Sequence, residues 1–422
     1  MFWLIENTSQ LKQFYNKGYK EVFVELIQKH DLIHPKLTEL SLVYIRPVKG
    51  RKGFIINTDH TEATSVAKSH ILSLLKTYET IYTTDQKNFL YHFTLNNLVD
   101  ITFNAPDFPK VTTNAHTFLY TNHPNKSNIN CLVPIVKHYE KYENIYKQYK
   151  EYCYEKNKFY SKISKAFYAI ENSGINIDKK TLDKYFELSH EDYNIDSSRI
   201  YTSYNLHNIT GRPSNTFNSI NFAALSKDNG CRKSFLPRND YFFEIDISSY
   251  HPTLVSQLTS YPIHPEQIYA EFAKVANVEI REAKELMFRQ LYGGIMDKYK
   301  FWGFFEQAQE YIDKLWNQWQ TVGYITCPVS NHIFHKSQIE NPNPHKLLNY
   351  LLQNLETSNN VKIIWDILKV LKGKNTKLVL YTYDAFLLDM DTDENLTEEI
   401  EQVFKKYNLH TKTKIGYNYD FK

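Results

Sequence analysis

The run Tyr241–Leu254, YFFEIDISSYHPTL, limits what this chain can fold into more than any other stretch. Its aromatic and β-branched residues favour a strand. That strand carries a carboxylate, Asp246, straight into a Ser-Ser-Tyr-His-Pro turn. A carboxylate beside an apolar run is costly to bury without a metal or a partner charge. The plainer alternative is an Asp or Ser capping the next helix. Residues 378–389, LVLYTYDAFLLD, repeat the arrangement: one apolar strand brings Asp384 to a tight turn and a second returns. Two Asp residues at strand turns can share a site, where they repel unless cations lie between them. Two Mg²⁺ ions about 4 Å apart serve phosphoryl transfer, and Mg²⁺ is satisfied by one or two carboxylates plus substrate phosphates.

Between the two runs lies REAKELMFRQLYGG, residues 281–294. On a helix, Arg281, Lys284, Phe288 and Tyr292 share one face. Two cations followed by two aromatics suit a nucleotide, with phosphates on the cations and a base against the rings. A solvated amphipathic helix would explain the stripe as well.

The 422 residues leave room for two or three domains, and 42% hydrophobic with 23% charged residues is ordinary for a globular protein. A formal net charge of +3 permits a polyanionic partner without requiring one, so any basic groove must be local. Cys131, Cys153, Cys231 and Cys327 form no CxxC pair, which argues against zinc or a disulfide framework and fits a reducing compartment. The start, MFWLIENTSQ, turns polar too early for a signal peptide, and no apolar run reaches the length of a membrane span. A soluble, cytoplasmic protein is expected.

Three regions separate by pattern: a mixed α/β module over 1–135, connecting helices over 136–200, and loops, strands and long helices over 201–422. The Lys and Glu run at 137–157 reads as a solvated helix face, and Gly174 as the close of the helix before it.

Taken in order, these segments resemble motifs A, B and C of the DNA polymerase I family (family A). NITGRPSNTFNSINF at 208–222 is similar to that family's TGR-L-S…N-x-Q-N-I element, and CRKSFLP to its R-x-x-F element. LLNYLLQNLE at 347–356 resembles the N-x-x-x-Q-G helix before motif C, and FYAIENSGINID the segment that opens the polymerase domain. The resemblance covers roughly residues 160–422. It implies an α+β fold: a right-hand polymerase with an antiparallel palm sheet, helical fingers and a reduced thumb, preceded by an RNase H-like α/β exonuclease-type domain.

The resemblance also assigns roles. Asp246 and Asp384, with Ile247, would hold two Mg²⁺ ions, Mn²⁺ being an alternative. Lys284 and Arg281 would contact the incoming triphosphate, and Phe288 would stack on the nucleotide. Tyr292 and Gly293 would guard the templating base. Arg212, Asn221 and Gln353 would contact the minor groove of primer-template DNA. The sequence departs from the family at several of these places. His251 stands where a ribose-excluding Glu is usual, and His251 or Tyr250 could exclude ribose sterically in its place, which leaves the choice between ribose and deoxyribose open. Ile280 replaces an additional Arg, Ala385 follows Asp384 where a Glu is usual, and Ile220 replaces the Gln of N-x-Q-N.

Only about thirty residues, 179–209, are left for a thumb, so weak DNA holding or a borrowed processivity factor is expected. In the first module VFVELI offers Glu25 alone, and TTDQKNFLYHF puts Phe89 where an Asp is expected. An exonuclease-like fold without proofreading follows. The leading expectation is a DNA polymerase using dNTPs, phage-encoded or from another mobile element in a bacterial host. A single-subunit RNA polymerase or primase-like enzyme, and a catalytically silent nucleic-acid-binding subunit, are the alternatives.

Overall fold

The computed structural model describes residues 2–15, 17–29, 33–50, 53–60, 64–102, 146, 157–186, 195–196, 198–216 and 220–422. The Lys and Glu run expected as a solvated face at 137–157, and most of the link between the first two regions, lie outside these residues. The chain divides into two compact units, Met1–Asn172 with Leu188–Ser197, and Ser173–Glu187 with Ser198–Lys422.

The first unit is built on a six-stranded sheet. Its strands are β1 (Phe2–Ile5), β2 (Glu21–Gln28), β3 (Leu40–Pro47), β4 (Gly53–Asn57), β5 (Thr80–Thr83) and β6 (Leu98–Asp100), in the order β1-β4-β3-β2-β5-β6. β4, β3 and β2 pair antiparallel, whereas β1 joins β4, and β5 and β6 follow β2, in parallel. β3 and β4 are buried at every position, so both faces of the sheet centre are covered, as their unbroken apolar runs require. Glu25 accepts hydrogen bonds from the Thr84 amide at 3.0 Å and the Thr84 hydroxyl at 2.8 Å. Phe89 is part of the core, on a helix capped by Asp85, whose carboxylate accepts from the Asn88 amide. The helix Asn157–Ser173 buries Glu171, which takes Lys87 at 2.5 Å and the Tyr91 hydroxyl at 2.9 Å.

The second unit opens at Ser173, and the next residue, Gly174, with a φ of +67°, ends that helix. A Cβ there would meet the Tyr201 ring at 2.8 Å, so glycine is required both by the backbone and by the neighbour. β7 (Ile175–Ile177), β8 (Arg199–Ile200) and β11 (Phe235–Leu236) form a small sheet in the order β11-β7-β8; β9 (Tyr204–Asn205) and β10 (Ser214–Asn215) form a ribbon. The central element is an antiparallel sheet. It contains β12 (Tyr241–Ile247) and, further along the chain, β15 (Lys377–Thr382), β16 (Ala385–Met390) and β17 (Thr411–Gly416), in the order β15-β16-β12-β17. A further hairpin joins β13 (Tyr324–Thr326) to β14 (Ile333–His335).

Period-2 alternation gives the central sheet two unlike faces. Ile245 lies opposite Phe386, and Phe386 packs on Phe404 of the helix Thr397–Lys406, with ring centroids 5.2 Å apart. The other face of β12 carries Glu244 and Asp246. Helices follow directly at Tyr250–Thr259, Ile268–Ala276, Ile280–Gly293 and Gly303–Val322. The helix Pro344–Val370 has Asn343 as N-cap, accepting from the Lys346 amide at 2.8 Å, and proline at its first position. Between Leu347 and Ile367 it buries residues on most of its sides, Asn354, Glu356, Thr357, Ser358 and Asn360 among them, so it runs through the interior of the unit. Among the described residues, no helix is long and apolar enough to cross a membrane.

Candidate active site

The two acid-bearing strands end side by side. In the antiparallel register Asp246 faces Ala385, the residue after Asp384, and the Ile247 amide donates to the Asp384 carbonyl at 2.8 Å. Both carboxylates therefore sit at one end of the sheet, Asp246 on β12 and Asp384 in the two-residue turn between β15 and β16. They open into a cavity of about 530 Å³.

Two residues beside them adopt left-handed backbone: Tyr383 (φ 65°), just before Asp384, and Ser249 (φ 52°), at the start of the helix after β12. Such conformations in residues other than glycine cost about 1–3 kcal/mol and persist only where neighbours enforce them. Here the enforcement is visible. The Tyr383 ring lies under the Arg212 guanidinium, 3.6 Å from carbon to centroid. Its carbonyl accepts from the Asn360 side chain at 2.7 Å.

Burial and neighbouring negative charge act on both acids. Asp384 is pushed up to about 6, first by the protein around it, then by the charges of Asp246 and Glu356. Its own surface still faces the open cavity, as befits a group on the floor of a recess. Asp246 is also raised, by burial and by Glu244, with Lys414, Lys227 and Lys284 opposing the rise.

The helix Ile280–Gly293 supplies Lys284, Phe288 and Tyr292 to the cavity, each one turn apart. Phe288 and Tyr292 stack with ring centroids 5.8 Å apart. Arg281, expected on the same stripe, is exposed and does not line the cavity. His251 does, and is buried. Its Nδ1 contacts the Tyr292 hydroxyl and its Nε2 lies 2.6 Å from Glu356. The other Glu356 oxygen pairs with Arg212 at 3.1 Å. A continuous chain thus runs Tyr292–His251–Glu356–Arg212–Tyr383, ending beside Asp384. Tyr250 is buried at the cavity's edge, and its hydroxyl donates to Asn360 at 3.0 Å. Ile247 lines the cavity between the acids.

Asn221, Gln353 and Gly293 do not line it. Asn221 and Gly293 are exposed, and the Gln353 amide donates to Asn349 at 3.0 Å. Glu356, one helical turn beyond Gln353, is the residue of that helix that reaches the site. Sequence reasoning also passed over Asn360, Tyr269, Lys227 and Lys412. The signal for Glu356 and Asn360 was present in LLQNLETSNN, where polar residues interrupt an otherwise apolar helix.

Two carboxylates that repel one another at the floor of a polar cavity, with no third His, Cys, Asp or Glu grouped with them among the described residues, make a sparse donor set. It fits a hard divalent cation that completes its shell with water and phosphate, and not zinc or a cluster.

No family model matches the sequence, and no curated protein matches it. The structure is similar to a solved one, the POL domain of Pol1 from M. smegmatis in complex with DNA primer-template and dNTP. The two share 13% sequence identity and a TM-score of 0.74, with 100% of each chain covered. At that identity the likeness is one of fold: the chain has the mixed α+β architecture of that polymerase domain.

Proposed function

We propose that this chain is a template-directed DNA polymerase of the family A type, extending a primer 3′-hydroxyl with deoxynucleotides. The observation that carries the reading is the convergence of Asp246, Asp384 and Lys284 on one cavity, from three separate segments, within a fold of this kind. Asp246, Asp384 and the Ile247 backbone would hold Mg²⁺, which when bound supplies activation of the hydroxyl and neutralisation of the triphosphate. The residues of the chain do the remainder. Lys284 presents an ammonium to the triphosphate and offsets charge on the departing pyrophosphate. Phe288 offers a ring face to the incoming base. His251, held from both nitrogens by Tyr292 and Glu356, forms a fixed wall for the sugar. Arg212, locked between Glu356 and Tyr383, faces the same cavity as the primer terminus would.

In the first unit, Glu25 is engaged by Thr84, and the core position of Phe89 leaves no carboxylate there. Both support an exonuclease-like domain without proofreading. A polymerase of this type extends a labelled primer on a DNA template with Mg²⁺ and dNTPs, and both Asp246→Asn and Asp384→Asn abolish extension. Undiminished extension by either variant overturns the assignment of the acids; no extension by the wild-type chain overturns the reading itself.

A further inference from the structure

We infer that Lys227 and Lys412 form a second anion subsite in this cavity, one that takes the phosphodiester backbone of the strand being extended. The inference rests on the polymerase reading and goes further, because none of the resemblances assigns these residues.

The sheet order places three groups in a row across its end. Asp384 lies in the β15–β16 turn, Asp246 on β12, and Lys412 on the edge strand β17, directly opposite Asp246 in the register. Lys412 therefore flanks the acid pair on the side away from Asp384. Lys227 lines the same cavity, and the Lys422 ammonium donates to its carbonyl at 2.9 Å. Lys284 enters from the helical wall, where it lies 5.9 Å from the Tyr269 ring centroid.

The state of these lysines separates them from ordinary surface charge. Lys414, next along the same face of β17, is bound to Glu244 at 2.6 Å. Among the described residues, neither Lys227 nor Lys412 has a carboxylate partner. Glu266, another acid of the lining, is turned to His410 at 3.5 Å. Lys412 on the edge strand and Lys227 on the loop before Cys231, opposite Lys284 on the helix, give the cavity further cations besides Lys284. Joining a triphosphate to a strand needs two anion-binding sites. Lys284 serves the triphosphate, and Lys227 with Lys412 serves the strand.

The experiment is fluorescence-anisotropy titration of primer-template DNA between 50 and 200 mM salt, with steady-state nucleotide KM alongside, for wild type, Lys227→Ala/Lys412→Ala and Lys284→Ala. Each phosphate contact contributes about 0.9 to the slope of log affinity against log salt. The double variant is expected to lower that slope by about 2 and weaken DNA binding about tenfold at the low-salt end. Its effect falls on DNA affinity and not on nucleotide KM, while Lys284→Ala shows the reverse. Lys227→Arg/Lys412→Arg restores the slope. A double variant with the wild-type slope, or with a raised nucleotide KM and unaltered DNA affinity, overturns the inference while leaving the polymerase reading intact. A wild-type chain that binds no primer-template overturns both.

Discussion

At the scale of single residues, Glu356 is the side chain on which the site depends most. It is almost fully buried and holds Arg212 with one oxygen and His251 with the other. Removing one partner of a buried ion pair strands the other, which typically costs 3–5 kcal/mol. Glu356→Ala is therefore expected to lower stability by about 3 kcal/mol in urea denaturation and to reduce primer extension more than Glu356→Gln, which keeps an acceptor. Equal stability of Glu356→Ala and wild type would contradict the pairing.

Asp384 makes the opposite prediction. Its folded value, raised to about 6, exceeds the ordinary carboxylate value of 3.8, so the folded state binds the proton more tightly. The stability it contributes is present at low pH and is lost as pH rises through about 4 to 6. In metal-free buffer Asp384→Asn should raise the melting temperature at pH 8 and match wild type near pH 4. Because the carboxylate still reaches water, the gain is held to about 1 kcal/mol. The acids themselves were legible in the sequence, because each stands alone at the end of an aromatic strand. Glu356 was marked only as one polar residue among several in LLQNLETSNN: with the helix buried on most sides, no periodicity tells which of them faces the site, and Gln353, one turn away, was singled out instead.

At the scale of elements, the β15–β16 hairpin is the part under strain. A two-residue turn with positive φ at its first position normally takes glycine; here Tyr383 takes it. The penalty of about 1–2 kcal/mol for a left-handed residue is of the same order as a cation–π contact of about 0.5–2 kcal/mol. Tyr383→Gly removes both, so it should leave global stability within about 1 kcal/mol of wild type. Primer extension should still fall, since the turn carrying Asp384 loses its anchor on Arg212. Unchanged extension would show that the turn needs no such anchor. The stripe of the helix Ile280–Gly293 was legible through its one-turn spacing, and Lys284, Phe288 and Tyr292 all line the cavity. Spacing alone also enrolled Arg281, which the helix's position leaves in solvent. β17 shows the reverse. Its Thr-Lys-Thr-Lys pattern reads as a solvated edge, and only the register with β12 puts Lys412 beside Asp246.

At the scale of the whole molecule, the chain's fold is that of a polymerase domain found at 13% identity. The expected division at 1–135, 136–200 and 201–422 was drawn from changes in composition, and the chain's contacts group it into two compact units. Between Asp178 and β9 the described residues supply one short helix, Lys179–Tyr185, and the two residues of β8. A polymerase with so little chain there is expected to be distributive. With a trap of excess unlabelled DNA, the purified protein should add only a few nucleotides per encounter, and long products under that trap would contradict the expectation.

The central claim is that this cavity adds nucleotides under the direction of a template. The most direct measurement is single-nucleotide incorporation opposite each of the four template bases, with each dNTP and each NTP supplied alone with Mg²⁺. The account predicts addition of the complementary dNTP in every case, poor use of the matching NTP at the His251 wall, and no product from Asp384→Asn. Addition that ignores the template base, or product formed equally well by Asp384→Asn, would contradict it.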